Sequence, residues 1–152
     1  MADEVSRTIL ELLDRHMVRE QAEDIPGILD TLVPEPRFVM EYLPFNISNR
    51  WWWSRKDWRG RDAVAAFYRG LFAFFRGFQV TLLRYTLSAK GVVDVSRIRG
   101  RIFSSLLNLP ALGLRGIPVS VTVVAFFEYD PGARKFCGER VFMTERNALK
   151  NL

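Results

Sequence analysis

The sequence predicts an α+β domain in which N-terminal helices cover one face of a curved antiparallel sheet. Two observations carry this. Near the start, apolar residues recur at helical spacing. Later, four long segments rich in Val, Ile, Phe and Thr follow one another, two pairs of them joined by short turns of hairpin type. Helices first and then a strand meander is the α+β arrangement. A sheet of such long strands must curl, and a curled sheet closed by helices leaves a hollow.

The first helix rests on Val5, Ile9, Leu12, Leu13, His16 and Met17, which share one face, and it should run to about Ala22. Asp24 can cap a short second helix with Pro26 in its first turn, and Ile28, Leu29 and Leu32 face inward. Pro34 and Pro36 stop it. Arg37 to Leu43 reads as a strand, and Asn46 to Asp57 as an irregular loop carrying Trp51, Trp52 and Trp53. The third helix spans about Arg61 to Arg76, with Asp62 in its first turn and Gly77 closing it. Strands follow at Phe78–Leu87, Val92–Phe103, Ile117–Tyr129 and Lys135–Thr144, with a looser excursion over Ser104–Gly116.

The 152 residues suit one domain, 1–152, and that length is enough to bury a core. A hydrophobic share of 49% with 26% charged residues excludes a disordered chain. Twelve Phe and four Trp exceed what so small a core needs, which points to a lined cavity or an apolar interface. The net charge of +5 raises the question of nucleic acid. The basic clusters, however, are interspersed with Asp57 and Asp62 and the arginines are spread along the chain, which disfavours nucleic acid as a partner.

Cys137 is alone, so neither a disulfide framework nor a Cys-based metal site is expected. The opening Met1-Ala2-Asp3-Glu4 is unlike a signal peptide and no apolar run is long enough to span a membrane, so a cytoplasmic protein without a membrane partner is expected. One His and scattered acids suggest no helical ligand pairing, so no metal is expected. No Gly-rich phosphate loop is present, and no cofactor is expected.

Three stretches carry a family resemblance. They are Glu23-Asp24-Ile25-Pro26-Gly27-Ile28-Leu29, the run from Trp58-Arg59-Gly60-Arg61-Asp62 to Tyr68, and Ala125–Gly132 followed by Gly138–Met143. In this order they resemble the capped second helix, the entry to the third helix and the closing hairpin of the SnoaL-like polyketide-cyclase branch of the nuclear-transport-factor-2-like superfamily. The resemblance implies a cone-shaped, cystatin-like roll on three helices, a deep apolar pocket for a small organic molecule, and a homodimer formed through the outer sheet face. Members include cyclases, ketosteroid isomerases, epoxide hydrolases and dehydratases as well as non-catalytic adaptors, so the fold alone does not settle function.

Departures from the family pattern narrow the candidates. The resemblance places Met143 where SnoaL-like cyclases and epoxide hydrolases keep an Asp, and Val124 nearest to the protonated Asp of ketosteroid isomerases. The Arg–Asp pair of limonene-type hydrolases is replaced by Arg97 and Arg99. His16 stands where the resemblance places an isomerase Tyr, and can donate a hydrogen bond or move a proton; the alternative is a core histidine bonded to a backbone carbonyl. Glu41 and Tyr42 end the first strand, and only one of the two can face the pocket, as a base or as a donor respectively.

Asp94 shares a strand face with Val92, Ser96 and Ile98, whereas Arg97, Arg99 and Arg101 share the other. Asp94 is therefore either a pocket acid or a rim carboxylate paired with an arginine. Trp53, Trp58, Phe67, Ser96, Val124 and Met143 complete the expected pocket wall, and the three consecutive tryptophans form a lid or a dimer contact. Two functions follow from these readings. One is cofactor-free acid–base chemistry (isomerisation, cyclisation, dehydration or epoxide opening) on a polyketide, terpenoid or steroid-like compound. The other is non-catalytic binding of a hydrophobic ligand or a protein.

Overall fold

The structure, a computed structural model, describes residues 2–42, 56–102 and 117–143. Helix α1 (Ala2–Gln21) buries Ile9, Leu12, Leu13 and His16 along one stripe. Helix α2 (Ile25–Asp30) starts as its sequence dictates: the Asp24 carboxylate accepts from the Gly27 amide at 3.0 Å, and Pro26 occupies the first turn. Strand β1 (Leu32–Tyr42) follows directly. Strand β2 (Lys56–Arg59) pairs antiparallel with it and leads into helix α3 (Arg61–Phe74). Strands β3 (Phe75–Ser88), β4 (Gly91–Ile102), β5 (Ile117–Asp130) and β6 (Lys135–Met143) complete the described chain.

The six strands form one sheet in the order β2-β1-β6-β5-β4-β3. All neighbours are antiparallel except β1 and β6, which run parallel. The first strand is thereby inserted beside the last, and the β3–β4–β5–β6 meander is joined to the β1–β2 pair at that seam. Gly138 makes the seam possible, because a Cβ there would lie 1.8 Å from the Arg37 carbonyl oxygen. Arg61 pins α3 to α2 through the Leu29 carbonyl at 3.0 Å and the Asp30 carboxylate at 3.1 Å.

Several boundaries differ from the expected ones. Strand β1 begins five residues early and runs through Pro34 and Pro36. The β1–β6 register shifts between Leu32 and Arg37, and β2 pairs only with residues 37–40, so neither proline removes a needed ladder bond. Asp57, expected at the end of a loop, lies with Trp58 in β2, where Asp57 takes both arms of Arg37 at 2.8 and 2.9 Å. Helix α3 ends at Phe74, and Gly77, at φ +65°, sits in an irregular step of β3 instead of closing the helix. The expected excursion, Ser104–Gly116, lies outside the described residues, as do Phe103, Trp51, Trp52 and Trp53.

Candidate functional site

A cavity lies between the helices and the sheet, bounded by α1, α3 and β1 and by the meander strands. It offers about 80 Å³ for the centres of water-sized occupants, enough for several waters or one compact organic group. Most of the wall is apolar: Phe38 and Met40 come from β1, Phe67 and Leu71 from α3, and Val121, Val123 and Ala125 from β5. Phe38 and Phe67 stack with centroids 4.0 Å apart. Five polar residues interrupt this wall, namely Glu20, Tyr68, Asp94, Ser96 and Glu139.

Tyr68 organises the first polar group. Its hydroxyl lies 3.0 Å from Glu20 Oε1, 3.2 Å from Glu139 Oε2 and 3.3 Å from His16 Nε2. One phenol proton can serve one acceptor at a time, so a partner must supply a second proton. Glu139 is suited to do so: burial, with the charges of Glu20 and Asp94, pushes its carboxyl well above the usual range. Burial and the same two glutamates raise the Tyr68 phenol well above its ordinary value, so it stays protonated. Glu139 as a residue is only partly buried, but its carboxyl end faces the cavity and the phenol.

His16 is fully buried behind this cluster. Its Nδ1 lies 2.6 Å from Thr31 Oγ1, and the Thr31 hydroxyl donates to the Ile28 carbonyl at 2.6 Å. With that proton committed, Thr31 must accept from His16, which places a proton on Nδ1. Nε2 is then the atom that faces Tyr68 and, at 3.6 Å, Glu20. His16, Glu20 and Glu139 direct ligating atoms to one region, all within 4.8 Å of one another. The His16–Glu20 spacing is the i, i+4 helical pairing that the sequence was expected to lack. The Tyr68 hydroxyl stands among the three atoms at hydrogen-bond distances, well beyond the roughly 2.0–2.2 Å of nitrogen and oxygen bonds to zinc.

Asp94 forms the second polar group. It is 3% exposed, its Oδ2 accepts from the Ser96 hydroxyl, and its buried Oδ1 has no hydrogen-bond partner. Burial raises its pKa to about 6 against the opposing Ser96 hydrogen bond, and the charge of Glu20 adds to the rise. A buried carboxylate oxygen without a partner, in a residue that lines a cavity, is costly to the fold.

The structure thus brings His16, Asp94, Ser96 and Phe67 to the cavity or its backing. Asp94 meets no arginine there, since Arg97 and Arg99 alternate to the other face of β4. Glu41 is turned away. Phe38 and Met40 take the inward positions of β1, and Glu41 instead pairs with Arg140 at 3.6 Å. Val124 is also corrected: Val123 and Ala125 line the cavity, so Val124 points to the opposite face. Trp58 packs on Phe67 and Phe38, with centroids 4.6 and 5.7 Å away, and belongs to the core behind the wall. Tyr42 and Met143 end β1 and β6, and their side chains, like Trp53, lie outside the described residues.

Sequence reasoning missed Glu20, Tyr68, Glu139 and Thr31. Two signals were available: Glu20 lies one helical turn after His16, and Glu139 alternates with the inward Val141.

No family profile and no curated protein matches the sequence. Solved structures do match. A protein of Jannaschia sp. CCS1 assigned as a SnoaL-like polyketide cyclase is 22% identical, with a TM-score of 0.69 over 91% of this chain and 87% of its own. SalBIII, an epoxide hydrolase/cyclase-like enzyme with a role in pyran ring formation in the polyether salinomycin, is 14% identical, with a TM-score of 0.69 over 97% of both chains. A Catenulispora acidiphila protein with a ketosteroid isomerase-like fold, solved in complex with trimethylamine, is 9% identical, with a TM-score of 0.68 over 91% of this chain and 89% of its own. The fold is nuclear-transport-factor-2-like. At these identities the similarity speaks for the fold, and the chemistry must be argued from the cavity.

Proposed function

We propose that the chain is a small enzyme performing cofactor-free acid–base chemistry on an apolar, oxygenated molecule held in the cavity. The observation that carries this is Asp94, a buried carboxyl in the cavity wall whose Oδ1 has no hydrogen-bond partner. A carboxyl poised at about 6 is ionised for the most part at neutral pH, yet basic enough to take a proton from carbon or from water. Tyr68 and the protonated Glu139 are donors that would exchange their mutual contact for a substrate oxygen as charge develops on it. The reactions open to such a pair are isomerisation, cyclisation, dehydration and epoxide opening. Relatives that include cyclase-like and hydrolase-like proteins are consistent with that range.

One observation favours the non-catalytic alternative. His16 is 0% exposed, tied by Nδ1 to Thr31, and stands behind the wall instead of in it. The two readings separate on turnover. Cyclohex-3-en-1-one, a carbon acid, and cyclohexene oxide, an epoxide, are offered to the protein and followed by proton NMR. The enzyme reading expects turnover of one of them, reduced at least about 100-fold in Asp94→Asn. Background rates with both probes, alongside intact binding in the cavity, would leave the non-catalytic reading.

A further inference from the structure

We propose that the ligand of this cavity carries a compact alkylammonium group, seated on Asp94 and enclosed by aromatic rings. This rests on the reading of the cavity as a small-molecule site and names the class of molecule it would select.

The charges that face the cavity have one sign. Glu20 and Asp94 contribute carboxylates, Glu139 adds a carboxyl that burial keeps protonated, and among the described residues no lysine or arginine lines the wall. Arg97 and Arg99, the nearest cations along β4, alternate to the other face. A carboxylate or phosphate ligand would therefore meet like charge in a poorly screened space, whereas a cation would be stabilised there. Asp94 gives the attraction a position. It lines the cavity, and its Oδ1 is the one buried side-chain polar atom left without a partner among the described residues.

The remaining wall suits a cation of a particular kind. Phe38, Phe67, Tyr68, Phe75, Phe78 and Phe127 present rings to the same space. A ring face attracts a cation most where water is excluded, and a methylated ammonium, being weakly hydrated, gives up little on entry. Apolar walls such as Val121, Val123 and Ala125 meet its methyl groups without loss, but would strip a primary ammonium of hydrogen bonds that the few polar groups of the wall would have to replace. The volume of about 80 Å³ at the centres of water-sized occupants admits one such group with a short chain. Methyl-bearing nitrogen next to an apolar body is the ligand that uses every part of this wall.

Three probes of one shape test the proposal: choline, its neutral carbon isostere 3,3-dimethylbutan-1-ol, and the anion 3,3-dimethylbutanoate. Each is titrated into methyl-labelled protein, and shifts are read at Val121, Val123 and Ala125. Choline is expected to bind at least about tenfold more tightly than the alcohol, and the anion more weakly than either. In Asp94→Asn the cation-to-alcohol ratio should fall towards one. The wild-type ratio decides the matter if that variant does not fold. Equal or tighter binding of the alcohol or the anion overturns the cation and leaves the small-molecule cavity standing. Absence of cavity shifts with all three overturns both.

Discussion

Asp94→Asn gives the sharpest test of how the cavity is held open. In the folded protein the Asp94 carboxyl titrates at about 6 instead of its ordinary 3.8. Because the folded value is raised, the native state binds more protons than the unfolded chain between these limits. The stability associated with a protonated Asp94 is thus fully present below about pH 4 and lost as pH rises through 6. At about 1.4 kcal/mol per unit, the loss comes to about 3 kcal/mol by pH 8. Asparagine has nearly the same shape, can accept from Ser96 and never ionises, so it escapes this loss. Urea unfolding of both proteins at pH 4 and pH 8 reads the double difference directly. The variant should gain about 2.5 kcal/mol on wild type between the two pH values, a relative midpoint shift of about 1–2 M. Glu20 and His16 on α1, Tyr68 on α3 and Glu139 on β6 share this region, and because Glu139 feels the Asp94 charge, part of the double difference passes through it. Stabilities that run parallel from pH 4 to pH 8 would refute the reasoning, since they would mean that Asp94 ionises as freely as in water.

Two further substitutions probe the supports of the site. Thr31→Val leaves the buried His16 Nδ1–H without its acceptor and should cost about 1–3 kcal/mol by urea unfolding. In the unsubstituted protein, nitrogen-15 spectra should show the proton of a neutral His16 on Nδ1, and a proton on Nε2 instead would contradict the Thr31 relay. Gly138→Ala drives a Cβ to 1.8 Å from the Arg37 carbonyl oxygen at the β1–β6 seam. Loss of about 3 kcal/mol or more, or failure to fold, is expected in thermal melts, and an unchanged melt would show that the seam can widen freely.

Much of the scaffold is legible in the sequence because local chemistry dictates it. Asp24 and Pro26 start α2 by capping and by a preset φ, needing nothing from the rest of the chain. The alternation that sets Asp94 and Ser96 against Arg97 and Arg99 also survives into the structure, since period two holds along an uninterrupted strand. Reading fails where partners come from elsewhere. Asp57 looks like loop until β1 is present to pair with it. Glu41 and Val124 are each one residue away from a lining position, and a single step reverses the face of a strand. Tyr68 is an ordinary buried aromatic of a helix until Glu20 and Glu139 arrive at its hydroxyl from α1 and β6. Convergence of that kind belongs to the fold and leaves no local trace.

The parallel seam between β1 and β6 also governs when the site can exist. During synthesis the helices and β1 emerge long before β6, and until β6 inserts the sheet is two pieces with no strand pairing between them. Glu139 and Val141 ride on that last strand, so the Tyr68 hydroxyl waits for its second carboxyl until the final element arrives. Pairing between strands so distant along the chain is slow to form, because loop closure comes before any contact rewards it. A nascent or partly unfolded chain therefore has helices and hairpins but no cavity, and ligand capture reports on the completed molecule alone.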